Sequence, residues 1–177
     1  MSKVDGVFSV ISSVVRQFSR TEYGLPAQQE IVETQKLIGF SLLDTEYVVA
    51  LSDISEVLDV PKCSKLPGVK PWVAGVANVR GRLLPIIDFA DFLGYRLQGP
   101  VRAQRVLVFE IASTYVGLIV EQVFGMRSLP LSDYHLADEN GPLARYIEGK
   151  FVDGAQSYDL FRPRRLVEDE RFMNLSI

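Results

Sequence analysis

Between Trp72 and Gly94 the chain runs apolar, turns, runs apolar again and stops. Gly75 and Gly81 punctuate the first run, and Asn78 and Arg80 are its only strongly polar side chains. A second apolar run, Leu83 to Ile87 with Pro85 inside it, ends in Asp88. That aspartate stands where a helix N-cap belongs, because its carboxylate can accept from the unpaired N–H groups of a first helical turn. Phe89, Phe92 and Leu93 follow at helical spacing, and Gly94 ends the pattern. The reading is strand, tight turn at Arg80-Gly81, strand, short helix.

Short strands surround this unit. Leu37–Leu43, Glu46–Leu51 and Val57–Val60 are candidates, with a tight turn at Asp44-Thr45 and a helical turn expected over Asp53 to Glu56. Pro61, Pro67, Gly68 and Pro71 mark a connecting loop, and Gly99-Pro100 marks a second linker. Arg105–Ile111 and Thr114–Val120 read as strands about a turn at Ala112-Ser113, and Val123 to Leu129 as another. Leu131 to Leu143 is polar and reads as an exposed loop. Tyr146–Val152 and Gln156–Phe161 flank a turn at Asp153-Gly154, and Pro163 suits the start of one terminal helix, Arg164 to Asn174.

The two halves repeat at a spacing of about 70 residues. Phe40 and Leu42 match Phe109 and Ile111, and Tyr47-Val48 matches Tyr115-Val116. Trp72-Val73 and Gly75 match Tyr146-Ile147 and Gly149; Gly81 matches Gly154; Asp88-Phe89 matches Asp159-Leu160. Each half then supplies about five strands and a small helix. Five strands with one apolar face tend to curl and close, which hides their edges. In this alignment Arg80 faces Asp153 and Asn78 faces Phe151, so the glycines belong to the scaffold while Asn78 and Arg80 are additions to it. A guanidinium suits recognition, being always charged and able to make bidentate or stacked contacts. Pairing with an acid of its own chain to brace the turn is the other reading of Arg80, and the two are compatible. Ile54 and Glu56, beside a strand, form a second candidate patch, against the plain alternative of a capped turn with Ile54 in the core.

Residues 1–20 place Val4, Val7, Phe8, Ile11, Val14, Val15 and Phe18 along one helical stripe, and Gly24 and Pro26 read as a linker. A short helical piece is expected over Ala27 to Glu33. Residues 1–35 are accordingly taken as a helical extension and 36–177 as the β domain. The stripe reads as packing on the chain's own domain or as a docking face. Its polar side lacks the basic excess of a membrane-surface helix.

Several function classes fit poorly. Net charge is -3, and the basic group Arg162, Arg164 and Arg165 is followed at once by acids, so no nucleic-acid track is expected. No apolar run is long enough to span a bilayer and no export signal opens the chain, so a cytoplasmic location without membrane insertion is expected. Cys63 is the one cysteine and His135 the one histidine, so His and Cys cannot assemble a zinc site and no nucleophile pair is evident. No phosphate loop or calcium loop is present. Asp88 and Asp91 fit capping better than acid–base work. No catalytic residue, metal or cofactor is expected, and a binding module remains. An enzyme or small-molecule binder working in a cleft between the two barrels is the alternative from another class.

The residues that carry this reading also resemble a known family. Gly75, Val76, Asn78, Val79, Arg80, Gly81, Pro85, Asp88 and Phe89 are similar to the signature of the CheW-like bacterial chemotaxis adaptors. Phe40-Ser41-Leu42, Glu46-Tyr47, Ile54, Glu56, Val57 and Val116–Val120 with Val123 extend the resemblance over about residues 36–172. Glu121 stands where the family often has Asp, and Val79 where Leu is usual. Gly24 to Gln35 and the run Pro67 to Trp72 resemble the adaptors of type IV pilus twitching systems. The resemblance implies a mainly β fold: two pseudo-repeated five-stranded SH3-like barrels sharing a core, with short helices at the periphery. It implies no catalysis, and coupling of a methyl-accepting chemoreceptor's cytoplasmic tip to the regulatory domain of a CheA-type histidine kinase. Output through flagellar chemotaxis is the alternative to twitching. By position, Ile54, Glu56, Asn78 and Arg80 fall near the implied protein contacts, and Gly75, Gly81, Pro85 and Asp88 are structural turn and cap positions.

Overall fold

Alternating apolar residues joined by two-residue turns fold into hairpins, and the chain is mostly hairpins. The computed structural model describes residues 32–137 and 141–177; the expected helix over residues 1–20 and most of the piece over 27–33 lie outside them. The strands are β1 Thr34–Leu42, β2 Thr45–Ala50, β3 Ile54–Asp59, β4 Val73–Val79, β5 Arg82–Asp88, β6 Arg105–Ile111, β7 Thr114–Val120, β8 Gln122–Pro130, β9 Tyr134–Leu136, β10 Ile147–Asp153 and β11 Gln156–Phe161. Short helices follow the second strand of each late hairpin: α1 Phe89–Phe92, then α2 Pro163–Val167 and α3 Glu170–Met173.

The strands form two sheets that exchange hairpins. The first, of six strands, runs β8-β1-β2-β11-β10-β9, and the second, of five, runs β3-β6-β7-β5-β4. Each takes its first hairpin from one half of the chain and its other strands from the other half. The seams are parallel: β11 on β2 over Asp159 to Phe161, and β5 on β7 over Ile86 to Asp88. The chain after β3 bridges Ser64 to Val76 by two bonds of 2.9 Å, joining the two ends of the second sheet. In the first sheet β8 lies on β1 and β9, a 3-10 turn later, lies on β10.

Closure demands glycine at equivalent places. A Cβ on Gly75 would sit 2.5 Å from the Ser64 carbonyl oxygen, and one on Gly149 would sit 2.3 Å from the Tyr134 ring. Both glycines lie at a β-bulge, which turns the strand toward its neighbour. The curled sheets enclose separate apolar interiors: Leu37, Val48, Leu129, Phe151, Tyr158 and Leu160 in the first, Ala77, Val79, Leu84, Ile86, Val106, Val108 and Ile119 in the second. A third cluster lies between them, where Phe161 meets Phe40, Phe89 and Phe109 at centroid distances of 5.9, 5.5 and 6.2 Å.

The mainly β, two-sheet architecture agrees with the expectation, and several details correct it. The stretch Leu131 to Leu143 carries a 3-10 turn and the sixth strand β9. The helical turn near Asp53 covers Leu51–Asp53, and Ile54 already begins a strand. The terminal helix is two helices, because Asp169 ends one and caps the next by accepting from the Arg171 N–H at 2.9 Å. The repeat is real, but part of its alignment shifts. Leu42 and Thr45 bracket the first turn as Ile111 and Thr114 bracket its equivalent, so Tyr47 corresponds to Val116. Val79 and Arg82 bracket one late turn, Asp153 and Gln156 the other. Gly81 therefore corresponds to Ala155, Arg80 to Gly154, Asn78 to Val152 and Asp88 to Arg162. Where the Asp88 carboxylate caps α1, Arg162 makes no side-chain cap, and α2 opens instead on Pro163, which has no N–H to leave unpaired and a φ already set for a helix.

Candidate functional site

Arg80 opens the two-residue turn between β4 and β5. Arg80 at φ 51° and Gly81 at φ 83° both lie in the left-handed region, as a type I′ hairpin turn requires. Gly81 adopts this freely. An L-residue with a β-carbon loses about 1 kcal/mol there, and Asn, Asp or Gly is the usual choice. Asn78 steadies the turn from below, its Oδ1 accepting from the Gly81 N–H at 2.9 Å.

From this position the Arg80 guanidinium reaches β3 and pairs with the Glu56 carboxylate. The Arg80 side chain stays 80% exposed while that of Glu56 is 22% exposed. An exposed pair of this kind contributes between zero and about 1 kcal/mol. The arginine thus braces the turn and remains open to solvent. Ile54 is not beside them on the surface: it pairs with Phe109 on β6 and packs, partly buried, against the central cluster. Of the four residues singled out by sequence, Glu56 and Arg80 come together, Asn78 supports their turn, and Ile54 belongs to the core side.

The scaffold positions are also clear. Gly75 admits Ser64, and Pro85 faces Val76 just before the parallel seam begins. The Asp88 Oδ1 accepts from the Asp91 N–H at 3.0 Å, and burial pushes its carboxyl above the ordinary value despite that bond. Glu121 is 7% exposed and gathers the N–H groups of Leu43, Asp44 and Gln98 at 3.1, 3.4 and 2.8 Å. It ties the β1–β2 turn to the linker that enters the second half.

Sequence reasoning passed over Arg82. Its two terminal nitrogens donate to both oxygens of Glu110 at 3.0 and 2.8 Å, and its guanidinium carbon lies 3.9 Å from the centre of the Tyr115 ring. That hydrogen bonding holds the Glu110 carboxyl below the usual carboxylate range. Glu110 and Tyr115 face each other across the Ala112-Ser113 turn, a pairing legible only once the hairpin register is known. Beside them Leu83, opposite Asn78, is 72% exposed. The cleft of 540 Å³ that includes Asp53, Glu110, Glu148, Arg162 and Glu168 is lined by ion pairs, and His135 lies elsewhere, exposed on β9. No described helix is long and apolar enough to cross a membrane.

Known proteins resemble the chain in sequence and in fold. Residues 36–170 match the model of the CheW-like domain family. The chain is 38% identical to Protein PilI of Pseudomonas aeruginosa, over 100% of both chains. It is 29% identical to the chemotaxis protein CheW of Rhizobium meliloti, over 67% of this chain and 81% of the relative. The crystal structure of the scaffolding protein TtCheW from Thermoanaerobacter tengcongensis shares the fold with a TM-score of 0.66 at 22% identity, covering 73% of this chain and 90% of that one. With two hairpin-exchanged sheets, a glycine at each closure and the Asn-Val-Arg-Gly turn within the matched residues, the chain belongs to the CheW-like domain family of scaffold and adaptor proteins.

Proposed function

We propose that the chain is a non-catalytic cytoplasmic adaptor that holds the regulatory domain of a CheA-type histidine kinase and the cytoplasmic tip of a methyl-accepting chemoreceptor in fixed geometry, in a chemosensory system driving type IV pilus twitching. The observation that carries the pilus assignment is coverage. The family match begins at residue 36, whereas similarity to Protein PilI takes in the residues ahead of it as well. Arg80 is the residue we assign to partner recognition. It occupies a strained turn position that Asn or Gly would fill more cheaply, and a choice against local preference is expected where a side chain serves function. Its charge is largely solvent-exposed and its pairing with Glu56 is exchangeable.

The test is Arg80→Ala, compared with wild type in thermal unfolding and in titrations against the purified kinase regulatory domain and a receptor-tip fragment. The melt should move little, because the ion pair is exposed, while affinity for at least one partner falls about tenfold or more. Unchanged affinity for both partners would reject Arg80 as a recognition residue. A flagellar output is the second reading, favoured by the similarity to a chemotaxis protein CheW over two thirds of the chain. Deleting the gene and scoring twitching against swimming separates the two.

A further inference from the structure

The hairpin that carries Arg80 is paired within itself up to Val79 and Arg82, but little backbone joins its tip to the strands on either side. Main-chain pairing of β5 to β7 covers Ile86 to Asp88 alone, so Arg82 to Pro85 and the turn before them extend past the parallel ladder. The β6–β7 turn reaches the same level, since Ile86 faces Gly117 and the two strands run in the same direction. Between the two tips lies the Arg82 guanidinium, forked onto both Glu110 oxygens with its carbon 3.9 Å over the Tyr115 ring. Bidentate on the carboxylate and over the ring, the planar guanidinium is held in one orientation, which a lysine would not be. Arg80 and Arg82 therefore anchor one hairpin on two sides, to Glu56 on β3 and to Glu110 on β6.

The two anchors differ in kind. Arg80 is 80% exposed and touches one carboxylate oxygen, whereas Arg82 is 53% exposed and uses two hydrogen bonds and a ring. We propose that Arg82 is a positioning residue for partner binding: its clamp on Glu110 and Tyr115 keeps the β4–β5 tip in place while Arg80 exchanges Glu56 for a group on the partner. This rests on the assignment of Arg80 to recognition. A hairpin loosened at its tip binds more weakly, because the ordering cost then falls at the moment of association. Without the clamp, Arg80–Glu56 is the one ion pair among the described residues that ties the tip to another strand, and releasing it to a partner loosens the tip.

The experiment uses the full chain and three variants, Arg82→Ala, Arg82→Lys and the charge swap Arg82→Glu with Glu110→Arg. Hydrogen exchange of the Gly81 amide, which is bonded to Asn78, reports the order of the tip without any partner. Arg82→Ala should speed that exchange about threefold or more and weaken partner binding by about fivefold, with Arg82→Lys between and the swap recovering most of the loss. The global melt should be nearly unchanged, which separates positioning from a general loss of stability. Exchange at Gly81 identical in Arg82→Ala and wild type overturns the clamp. Faster exchange with unchanged affinity for both kinase and receptor upholds the clamp and overturns the assignment of this hairpin to recognition. Should Arg82→Ala fail to fold, Glu110→Gln loosens the same clamp from its other side and is read by the same exchange.

Discussion

Replacing Gly75 by alanine should open the second sheet. The added methyl would lie 2.5 Å from the Ser64 carbonyl oxygen and 3.0 Å from its carbonyl carbon, both backbone atoms that cannot turn aside. Gly75 also sits at φ 144°, where an L-residue is strained by about 1–2 kcal/mol. Relief comes only by pushing the residue 64 segment off β4, which breaks both bonds of the Ser64–Val76 bridge, each contributing about 1 kcal/mol. The total is about 3–4 kcal/mol, or roughly 10 °C in the melt of a domain this size. Gly149→Ala makes the control. There the obstacle is the Tyr134 ring, half-buried on a three-residue strand that can retreat, so the cost should be about 1–2 kcal/mol. Thermal unfolding of both variants gives the magnitudes, and exchange of the Ser64 and Val76 amides shows whether the bridge has opened. A Gly75→Ala protein that melts within 2 °C of wild type (about 1 kcal/mol or less) with those amides still protected would refute the closure argument.

Two further predictions concern carboxylates. The Asp169 side chain is 8% exposed; burial alone would raise its carboxyl, but the Tyr146 hydroxyl at 2.6 Å, the Arg171 guanidinium and the Arg171 backbone N–H bring it down to about 2. A depressed carboxylate contributes stability that is full above its unfolded value near 4 and lost as pH falls toward 2, about 2 kcal/mol in all. Asp169→Asn should therefore lower the urea midpoint at pH 7 and converge with wild type at pH 2, and a constant gap across that range would count against the linkage. Glu121→Gln keeps an acceptor for one or two of the three N–H groups but turns an amide N–H₂ toward the rest, leaving a buried donor unpaired at about 1–3 kcal/mol. Equilibrium unfolding measures that loss, and a neutral result would show the Leu43–Asp44 turn to be held by other means.

Much of the fold is legible because strand faces and turns are written locally. Arg105–Ile111, Thr114–Val120 and Gln156–Phe161 stand in the structure with the bounds that alternation and turns assign them. Hairpin exchange is not legible, since an apolar face says that a strand is covered but not which strand lies beside it. β9 is hidden for a simpler reason: Tyr134-His135-Leu136 is too short to show a period. The repeat misled where local cues and true equivalence part company. A glycine follows an acid at Asp153-Gly154 much as Gly81 follows Arg80, yet Gly154 occupies the first turn position and Gly81 the second. The site shows the same limit. Arg80 is conspicuous among apolar neighbours, whereas Arg82, Glu110 and Tyr115 look like ordinary surface residues until three strands are brought together.

Corrected registers make the comparison of the two halves more discriminating. Residues that build the sheets recur: Phe40 with Phe109, Leu42 with Ile111, Gly75 with Gly149 at the bulges. The polar cluster does not. Glu56 faces Val108, whose equivalent Gly39 faces Gly125, so a glycine stands in place of the glutamate. Arg80 gives way to Gly154, Asn78 to Val152 and Arg82 to Gln156. Glu110 and Tyr115 give way to Ser41 and Glu46. Stability alone gives little reason for a double ion-paired hairpin in one sheet and not in the other, because exposed pairs contribute little and the closures are already secured by backbone bonds. Around the former glutamate position the first sheet instead exposes Phe124 and Met126, at 38% and 59%. On the same frame, then, the second sheet pairs two arginines with two glutamates at its late hairpin, whereas at the equivalent positions the first sheet has glycines, Val152 and Gln156, with Arg127 held on Tyr158 and Phe124 and Met126 partly exposed beside them.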